Sequence, residues 1–492
     1  MAIRRGYELT AAQTTDPLLR RAGNVATGWV VGAAATLVLG VATSAWWAVG
    51  VAVGVAVGVA AFVSVGRVSV VVVMALLGAV GVARADAAWH DLRPDQLGPF
   101  SGWATVVDDP RPAGAATNVV VELEGERFEL WVRGRAGQLR ARSWQGGDRV
   151  VVVGRRVALD DERQRRVASR HVVGELDFEW LGDRRAGSAL ARSSNRVRDL
   201  VARGAATLGD ERGTLTRGLV IGDDRDQPPE TLERFRESGL SHLTAVSGQN
   251  VAYLLAAAGP LLRRRRPLAR WIVTLGLIAW FVVVTRAEPS ILRAGSMAAL
   301  SATAFLLGRP RQPLRLLALA VIGLVLVDPL LVWSVGFWLS VGATAGVTAI
   351  GPWLATRLVA LGPLALPVGI TIGAQLGVAI PSVLVFGRLS VIGTVANLVA
   401  VPVAGLVMLY GLPACLVAGA VPPLAPVVMA PVEVGVGWVD AVATVGAAVE
   451  PGPPWSWLGW IVLTAVMVVL LRRARHSVGD LLEDEVPTDA DQ

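Results

Sequence analysis

A run of polar side chains interrupts an apolar stretch at Gly239, Leu240, Ser241, His242, Leu243, Thr244, Ala245, Val246, Ser247, Gly248, Gln249 and Asn250. Its imidazole, hydroxyls and amides can donate and accept hydrogen bonds, and His242 could exchange a proton near neutral pH. Ser247 and Gly248 read as a break in a helix. Irregular backbone at membrane depth is tolerated where it lines a wet cavity, so this cluster is a candidate passage or solute site. A hydrolase nucleophile made of Ser247 and His242 is a further reading. No third group is apparent in the sequence to orient that histidine.

Other charged residues also sit among apolar runs. Thr285, Arg286, Ala287, Glu288, Pro289 and Ser290 separate two such runs, and Arg293 follows on the second. They are either a solvated external loop or a functional charge cluster, because a charge near the bilayer centre costs about 2.5–3.5 kcal/mol on insertion scales. Glu433 and Asp440 are seven residues apart and share one helical face. They either line a polar pathway or pair with arginines such as Arg388 or Arg293. The four histidines, His90, His171, His242 and His476, are too scattered to suggest a metal centre, and no cofactor is expected. With Cys415 as the sole cysteine, no intramolecular disulfide can form.

These side chains must be positioned by membrane helices. The chain is 53% hydrophobic over 492 residues, more apolar surface than a soluble fold can bury. A crossing helix needs roughly 20 mainly apolar residues. Such stretches fall near 27–45, 46–66 and 68–83, and then near 240–262, 270–287, 288–308, 314–328, 331–350, 364–386, 390–419, 424–449 and 455–471. The expected fold is a polytopic α-helical membrane protein of about 12 membrane segments. The Gly/Pro-rich stretch at 390–425 reads either as one span or as a broken, re-entrant one. The basic N-terminus followed by three apolar stretches reads as retained anchors rather than a cleaved leader.

Between the first and later spans the chain changes character. Segments 102–107, 118–123, 127–132 and 149–153 alternate like strands, separated by turn signals at Asp109-Pro110, Glu124-Gly125 and Gly146-Gly147-Asp148. Short strands at this spacing predict a small β-barrel or sandwich. The resulting division is 1–85 for N-terminal helices, 86–185 for the inserted β-domain, 186–239 for amphipathic or surface helices, 240–471 for the helical core and 472–492 for a tail. From Arg133 to Arg170 there are eleven arginines against four carboxylates. Trp131, Arg133, Arg135, Arg140, Arg142 and Trp144 therefore form either a candidate surface for single-stranded nucleic acid, with phosphate contacts and stacking platforms, or a solvated basic face.

Every basic residue is arginine. Basic residues favour the cytoplasmic side, and Arg4, Arg5, Arg20 and Arg21 place the N-terminus there. Three crossings then put 86–239 outside. Arg263, Arg264, Arg265 and Arg266 end the next span, and Arg309, Arg311, Arg315 and Arg472, Arg473, Arg475 fall on the same side, which agrees with that orientation.

At the 239–251 cluster the sequence resembles the ComEC competence protein family, membrane channels of bacterial DNA uptake. The resemblance rests on Gly-Leu-Ser-His-Leu at 239–243 followed by Ser247-Gly248. It continues through Thr285-Arg286 to Ser290 with Arg293-Ala294, then Asp328-Pro329 with Gly336-Phe337-Trp338-Leu339-Ser340, then Ser390, Asn397 and Pro402. Gly218, Leu219, Val220, Ile221, Gly222 and Asp223 fit an upstream element. The family's front end of helices plus an external OB-like domain is similar to residues 1–180, including Trp144-Gln145-Gly146-Gly147-Asp148. Two departures stand out. Gln249-Asn250 replaces a second histidine, and no His-x-His-x-Asp-His run of the family's metallo-β-lactamase-like domain occurs.

The resemblance implies a channel for single-stranded DNA in natural transformation, located in the bacterial plasma membrane with both termini cytoplasmic and with no enzyme activity of its own. His242, Ser247, Gly248, Asn250, Arg286, Arg293, Asp328 and Asn397 would line it or form its motifs. The implied partners are the strand itself, the lipid bilayer, an external DNA receptor, a separate nuclease and a cytoplasmic ATP-driven translocase, since no Gly-x-x-x-x-Gly-Lys-Ser/Thr loop is present. A secondary transporter for a small or anionic solute is the alternative. It predicts two pseudo-symmetric halves, which the spacing of the polar blocks does not suggest.

Overall fold

The computed structural model describes residues 17–42, 68–244, 247–387, 389–452, 455, 456 and 458–461. In chain order the elements are α1 (Pro17–Ala42), α2 (Val68–His90), β1 (Gly98–Val106), β2 (Arg111–Ala113), β3 (Ala116–Leu123), β4 (Glu126–Arg133), α3 (Arg135–Arg142), β5 (Arg149–Ala158), α4 (Asp161–Val167) and β6 (Val172–Arg185). Helices follow: α5 (Ala189–Ala206), α6 (Asp210–Ile221), α7 (Pro229–Glu237), α8 (Ser241–Thr244), α9 (Gly248–Leu262), α10 (Pro267–Val284), α11 (Pro289–Leu306) and α12 (Pro313–Val327). The last are α13 (Val335–Ala355), α14 (Ala365–Phe386), α15 (Gly393–Ala420) and α16 (Ala425–Val449). Helix starts are encoded locally. Pro229, Pro267 and Pro313 each open a helix where a missing N–H costs nothing. Asp160 and Ser188 cap α4 and α5 by accepting from Arg163 N and Ala191 N.

The chain divides into two compact units, one of residues Met1–Pro94, Asp160–Val173 and Ala299–Ser334, the other of Asp95–Leu159, Gly174–Ala298 and Val335–Gln492. In the first unit, Gly81 of α2 brings its backbone against Leu37 of α1, where a Cβ would stand 2.7 Å from the carbonyl oxygen. Arg84 donates to the Leu326 and Val327 carbonyls at the C-terminal end of α12, at 2.8 and 3.2 Å. A cation is favoured there by the helix dipole.

In the second unit, the β-domain is a six-stranded sheet in the order β1-β5-β6-β4-β3-β2. β1 also pairs with β3, through Thr105–Glu122 and Val106–Val121. The four strand segments expected from alternation lie within β1, β3, β4 and β5, apart from Val107, one residue past the end of β1. β2 and β6 are additions. In β6, Glu175 and Asp177 alternate with Leu176 and Phe178, and the alternation breaks before the exposed Trp180. Along β5, Val150 and Val152 point into the core while Arg149 and Arg155 are exposed. Phe128, Leu130, Trp144 and Leu176 complete that core.

Among the described residues five helices are long and apolar enough to cross a membrane: α10, α13, the stretch Val359–Phe386 containing α14, α15, and the stretch Pro422–Val449 containing α16. The candidate span 46–66 and most of 455–471 lie outside the described residues. The Gly/Pro-rich stretch forms one continuous helix, α15, which accommodates Pro402 and Pro413. Neighbouring helices can satisfy the backbone groups that an internal proline leaves free.

Helices α5 and α7 have one apolar and one polar face, α6 is buried on most sides, and none of the three is a surface appendage. Val201, Ala205, Leu215, Leu219 and Phe235 are buried in one cluster with Ala400, Cys415, Val436 and Ala443 of α15 and α16. Small residues permit this close approach. A Cβ on Gly204 would meet the Cys415 carbonyl oxygen, and one on Gly419 the carbonyl oxygen of Leu200.

Helices α13 and α14 meet along a glycine seam. Gly342 faces Gly377, Gly346 faces Gly373 and Gly351 faces Gly369, each glycine with room for nothing larger than hydrogen. On α14 the glycines recur every fourth residue, whereas Gly346 and Gly351 are five apart. A π-turn over Gly346–Ile350 absorbs the additional residue and keeps the third contact in line.

Candidate functional site

The blocks singled out in the sequence come together in the second unit around an interrupted helix. After α7 the chain turns through Gly239, at φ +72°, a conformation glycine takes without steric cost. That turn lies directly on the start of α15, where a Gly239 Cβ would stand 2.9 Å from Gly393 Cα and 3.1 Å from Ser390 Cβ. The Ser390 hydroxyl donates to Glu450 at 2.8 Å and accepts from Gly393 N at 3.0 Å. Glu450 also accepts from Val391 N and Ile392 N at 3.1 and 2.9 Å. A carboxylate at the first turn of a helix is favoured by its exposed N–H groups and dipole. Asn397 donates back to the Gly393 carbonyl at 2.6 Å, and Thr394 donates to Gln375 of α14 at 2.7 Å.

His242 lies on the short helix α8, with its ring bonded to the Gly239 backbone. Its side chain is exposed at the interruption between α8 and α9. Helix α9 restarts at Gly248 behind a reciprocal cap. Ser247 Oγ accepts from Gln249 N at 3.3 Å, and Asn250 Oδ1 accepts from Ser247 N at 3.2 Å. The break expected at Ser247 and Gly248 is therefore a built helix start.

Asn250 is buried and does more than cap. Its Nδ2 donates to the carbonyls of Leu219 and Val220, at 3.0 and 3.2 Å, which ties α9 to the end of α6. As a proposed lining residue it is corrected to a buried tie, with its amide groups engaged by protein. Gly248 lies against the Arg293 guanidinium, where a Cβ would be 2.7 Å from Nη2. Arg293 is buried on α11. It donates to Ser340 Oγ at 2.7 Å and to Met297 Sδ at 3.2 Å, so the 247–250, 293–294 and 336–340 blocks meet at this side chain.

Arg286 has a different setting. Arg286 and Ala287 both take positive φ, +58° and +53°, which non-glycine residues rarely adopt. The turn is held by a buried ionic network. Arg286 donates to Asp109 Oδ1 at 2.8 Å and to Asn195 at 2.7 Å. Arg198 of α5 sits 2.7 Å from Asp109 Oδ2 and 3.5 Å from Asp223. Arg225 binds both oxygens of Asp223, at 2.7 and 2.8 Å. Burial works to raise the Asp109 carboxyl, but the field of Arg198, Arg225 and Arg286 outweighs it and holds the group far below the usual range. Asp223, against the same desolvation, is brought down to about 2, chiefly by its bonds from Arg225. Arg286 is thus a structural clamp in this network rather than part of a solvated loop.

Glu433 and Asp440 pair neither with Arg293 nor with each other. Arg212 of α6 binds Glu433 at 2.8 Å, and Arg234 of α7 reaches Asp440 at 3.2 Å and Glu211 at 2.6 Å. Arg388 lies outside the described residues. Asp328, in the first unit, accepts from Leu330 N at 3.0 Å and pairs with His171 Nε2 at 3.0 Å. It is a turn cap.

On the β-domain, Arg133, Arg135, Arg140 and Arg142 are exposed as expected. The aromatic half of that surface is corrected. Trp144 is 1% exposed and belongs to the core, and Trp131 is half-buried with its indole nitrogen enclosed. Another aromatic residue takes that place. Trp103 on β1 carries the guanidinium of Arg185 at 4.7 Å and that of Arg149 at 5.6 Å from its ring centre. The pairing of β1 with β5, and of β5 with β6, brings them together, and sequence alternation alone could not supply that register. Among the described residues no group of three His, Cys, Asp or Glu could hold a metal ion.

Residues 219–476, just over half of the chain, match the model of the family described as Competence protein. The chain is 28% identical over 200 residues to the uncharacterized protein YcaI of Escherichia coli (strain K12). That alignment covers 38% of this chain and 26% of YcaI, so the chain spans about a quarter of this curated relative's length. No solved structure matches the chain.

Proposed function

The chain belongs to the competence protein family, and on that premise we propose that it is a membrane channel that passes single-stranded DNA from the external face to the cytoplasm during natural transformation. The observation that carries this reading is the convergence, at the interrupted α8–α9 helix, of the blocks at 239–251, 293–294, 336–340 and 390–397. His242, exposed at that interruption, is the side chain we assign to the lining. The β-domain receives the strand, and its reading as OB-like is supported by the strand order together with the β1–β3 pairing. On this reading the chain is a conduit and not an enzyme, and a cytoplasmic ATP-driven translocase supplies the work.

The orientation has one physical support. Arg286, which clamps the β-domain through Asp109, lies at the C-terminal end of α10, and Arg263 to Arg266 lie at its other end. Eighteen helical residues span about 27 Å, close to one hydrocarbon thickness. With the arginine run on the cytoplasmic side, the β-domain is external. On this reading the protein crosses the plasma membrane with about 12 segments and keeps both termini cytoplasmic.

The test is deletion of the gene in its native host. Loss of transformation and of import of labelled DNA, restored by the intact gene but not by a His242→Leu copy that reaches the membrane, is expected. Unchanged import in the deletion strain would sink the reading.

A further inference from the structure

The register of the β-domain places two arginines directly opposite one another, Arg149 on β5 and Arg185 on β6. Like charges across a strand pair are destabilising, so such a pair needs a counter-charge. Among the described residues neither guanidinium has a carboxylate partner. The nearby Asp148 is buried and engaged by Arg184 at 2.8 Å and by Gln145 N at 2.9 Å. Both guanidiniums instead flank the Trp103 ring, at 5.6 and 4.7 Å.

The same face carries a second indole. Trp103 lies opposite Val151. On the β6 side of Val151 the Trp180 ring lies over Gly182, where a Cβ would stand 2.4 Å from the ring and 3.0 Å from Val151 Cβ. Trp180 is 54% exposed. Two register shifts in β6 accompany this arrangement, one between the partners of Val150 and Val152 and one between those of Val153 and Gly154, Trp180 and Phe178. Bulges serve to re-aim side chains. Asp177 and Glu175 pair in register with Arg155 and Val157, toward the opposite end of β5, while the exposed Glu179 and Asp183 fall at the two register shifts of β6 and form no ion pair with Arg149 or Arg185 among the described residues.

We propose that Arg149, Arg185 and Trp103, with Trp180 beside them, form a binding site for single-stranded polynucleotide, the two guanidiniums taking a backbone phosphate and the indoles stacking bases. It rests on the strand-conduction reading above and locates the receiving surface on β1, β5 and β6. Two unpaired cations call for an anion, and exposed indoles add a preference for unstacked bases over the buried bases of a duplex.

The full chain in nanodiscs of neutral phosphatidylcholine is titrated with a fluorescent oligothymidylate of about 16 nucleotides and with a duplex of equal length. The Arg149→Gln/Arg185→Gln variant is expected to bind the strand about tenfold more weakly, with a salt slope shallower by about 1.4, the share of two phosphate contacts. Trp103→Leu is expected to reduce the preference for strand over duplex about fivefold or more. Arg309→Gln, outside the β-domain, is expected to change neither. If the glutamine pair does not fold, the Arg149→Lys/Arg185→Lys variant, expected to keep the salt slope and lose affinity, reads the same site together with Trp103→Leu. Strand binding by the wild type that these substitutions leave intact overturns this site while sparing the conduction reading. A wild type that binds no strand overturns both. Binding abolished when phosphatidylglycerol replaces the neutral lipid assigns the arginines to headgroups and overturns the site.

Discussion

Arg286 and Asp109 are 2.8 Å apart across a sequence separation of 177 residues, and their pairing fastens the β-domain to the turn between α10 and α11. Both are buried, at 13% and 7% side-chain exposure. Removing one partner leaves the other charged and dry. Arg286→Ala is expected to cost about 3–5 kcal/mol of stability. Arg111→Ala breaks the exposed pair with Glu288, at 55% and 38% exposure, and is expected to cost less than about 1 kcal/mol. Thermal and denaturant unfolding in detergent separates the two.

The same network makes stability depend on acid. Asp109 and Asp223 titrate lower in the folded protein than the ordinary aspartate value of about 3.9. Groups depressed on folding contribute stability above the unfolded value and lose it as pH falls toward the folded one. The melting temperature is therefore expected to hold from neutrality to about pH 4–5 and to fall below that. Asp223, with its folded value of about 2, accounts for part of the fall. Asp223→Asn is expected to begin from a lower plateau and to lose that part of the slope. An unchanged slope would remove Asp223 from the account.

Asn250 tests whether the interrupted helix is built or merely irregular. Its side chain serves Ser247 N and the carbonyls of Leu219 and Val220. Asn250→Ala leaves those buried groups unpaired and is expected to destabilise by about 1–3 kcal/mol. Asn250→Asp removes the donor and keeps the acceptor, so it is expected to fall between wild type and alanine in a melt only if the Ser247 contact matters.

Trp144 and Trp103 divide stability from the proposed binding. Trp144→Ala opens a cavity in the β-domain core and is expected to cost about 3–5 kcal/mol, with strand affinity unchanged in the protein that remains folded. Equal melting curves for Trp144→Ala and wild type would mean that the core is built differently.

The membrane character, the β-domain and the interruption at Ser247 and Gly248 were all legible in the sequence, because each rests on a local property: apolar length, alternation, or a capping pair. Arg286 was legible as an unusual arginine but not as a clamp, since its partners Asp109 and Asn195 are brought to it by tertiary folding. Trp144 misleads for a similar reason. Its flanking Arg142 and Gln145 look solvent-facing, and only the packing of α3 against the sheet turns its ring inward. Trp103 shows the converse case. Its two arginines come from strands 46 and 82 residues further along, and no local window contains them.

The glycine seam between α13 and α14 limits how any passage could open. Three backbone-to-backbone contacts, with the π-turn keeping the last in step, leave no distance for one helix to slide along the other. A shift by one residue would drive side chains such as Val378 or Ala374 into a facing main chain. The pair can therefore tilt or rotate only as a single beam. Gating, where it occurs, must run along seams lined by larger and more forgiving side chains.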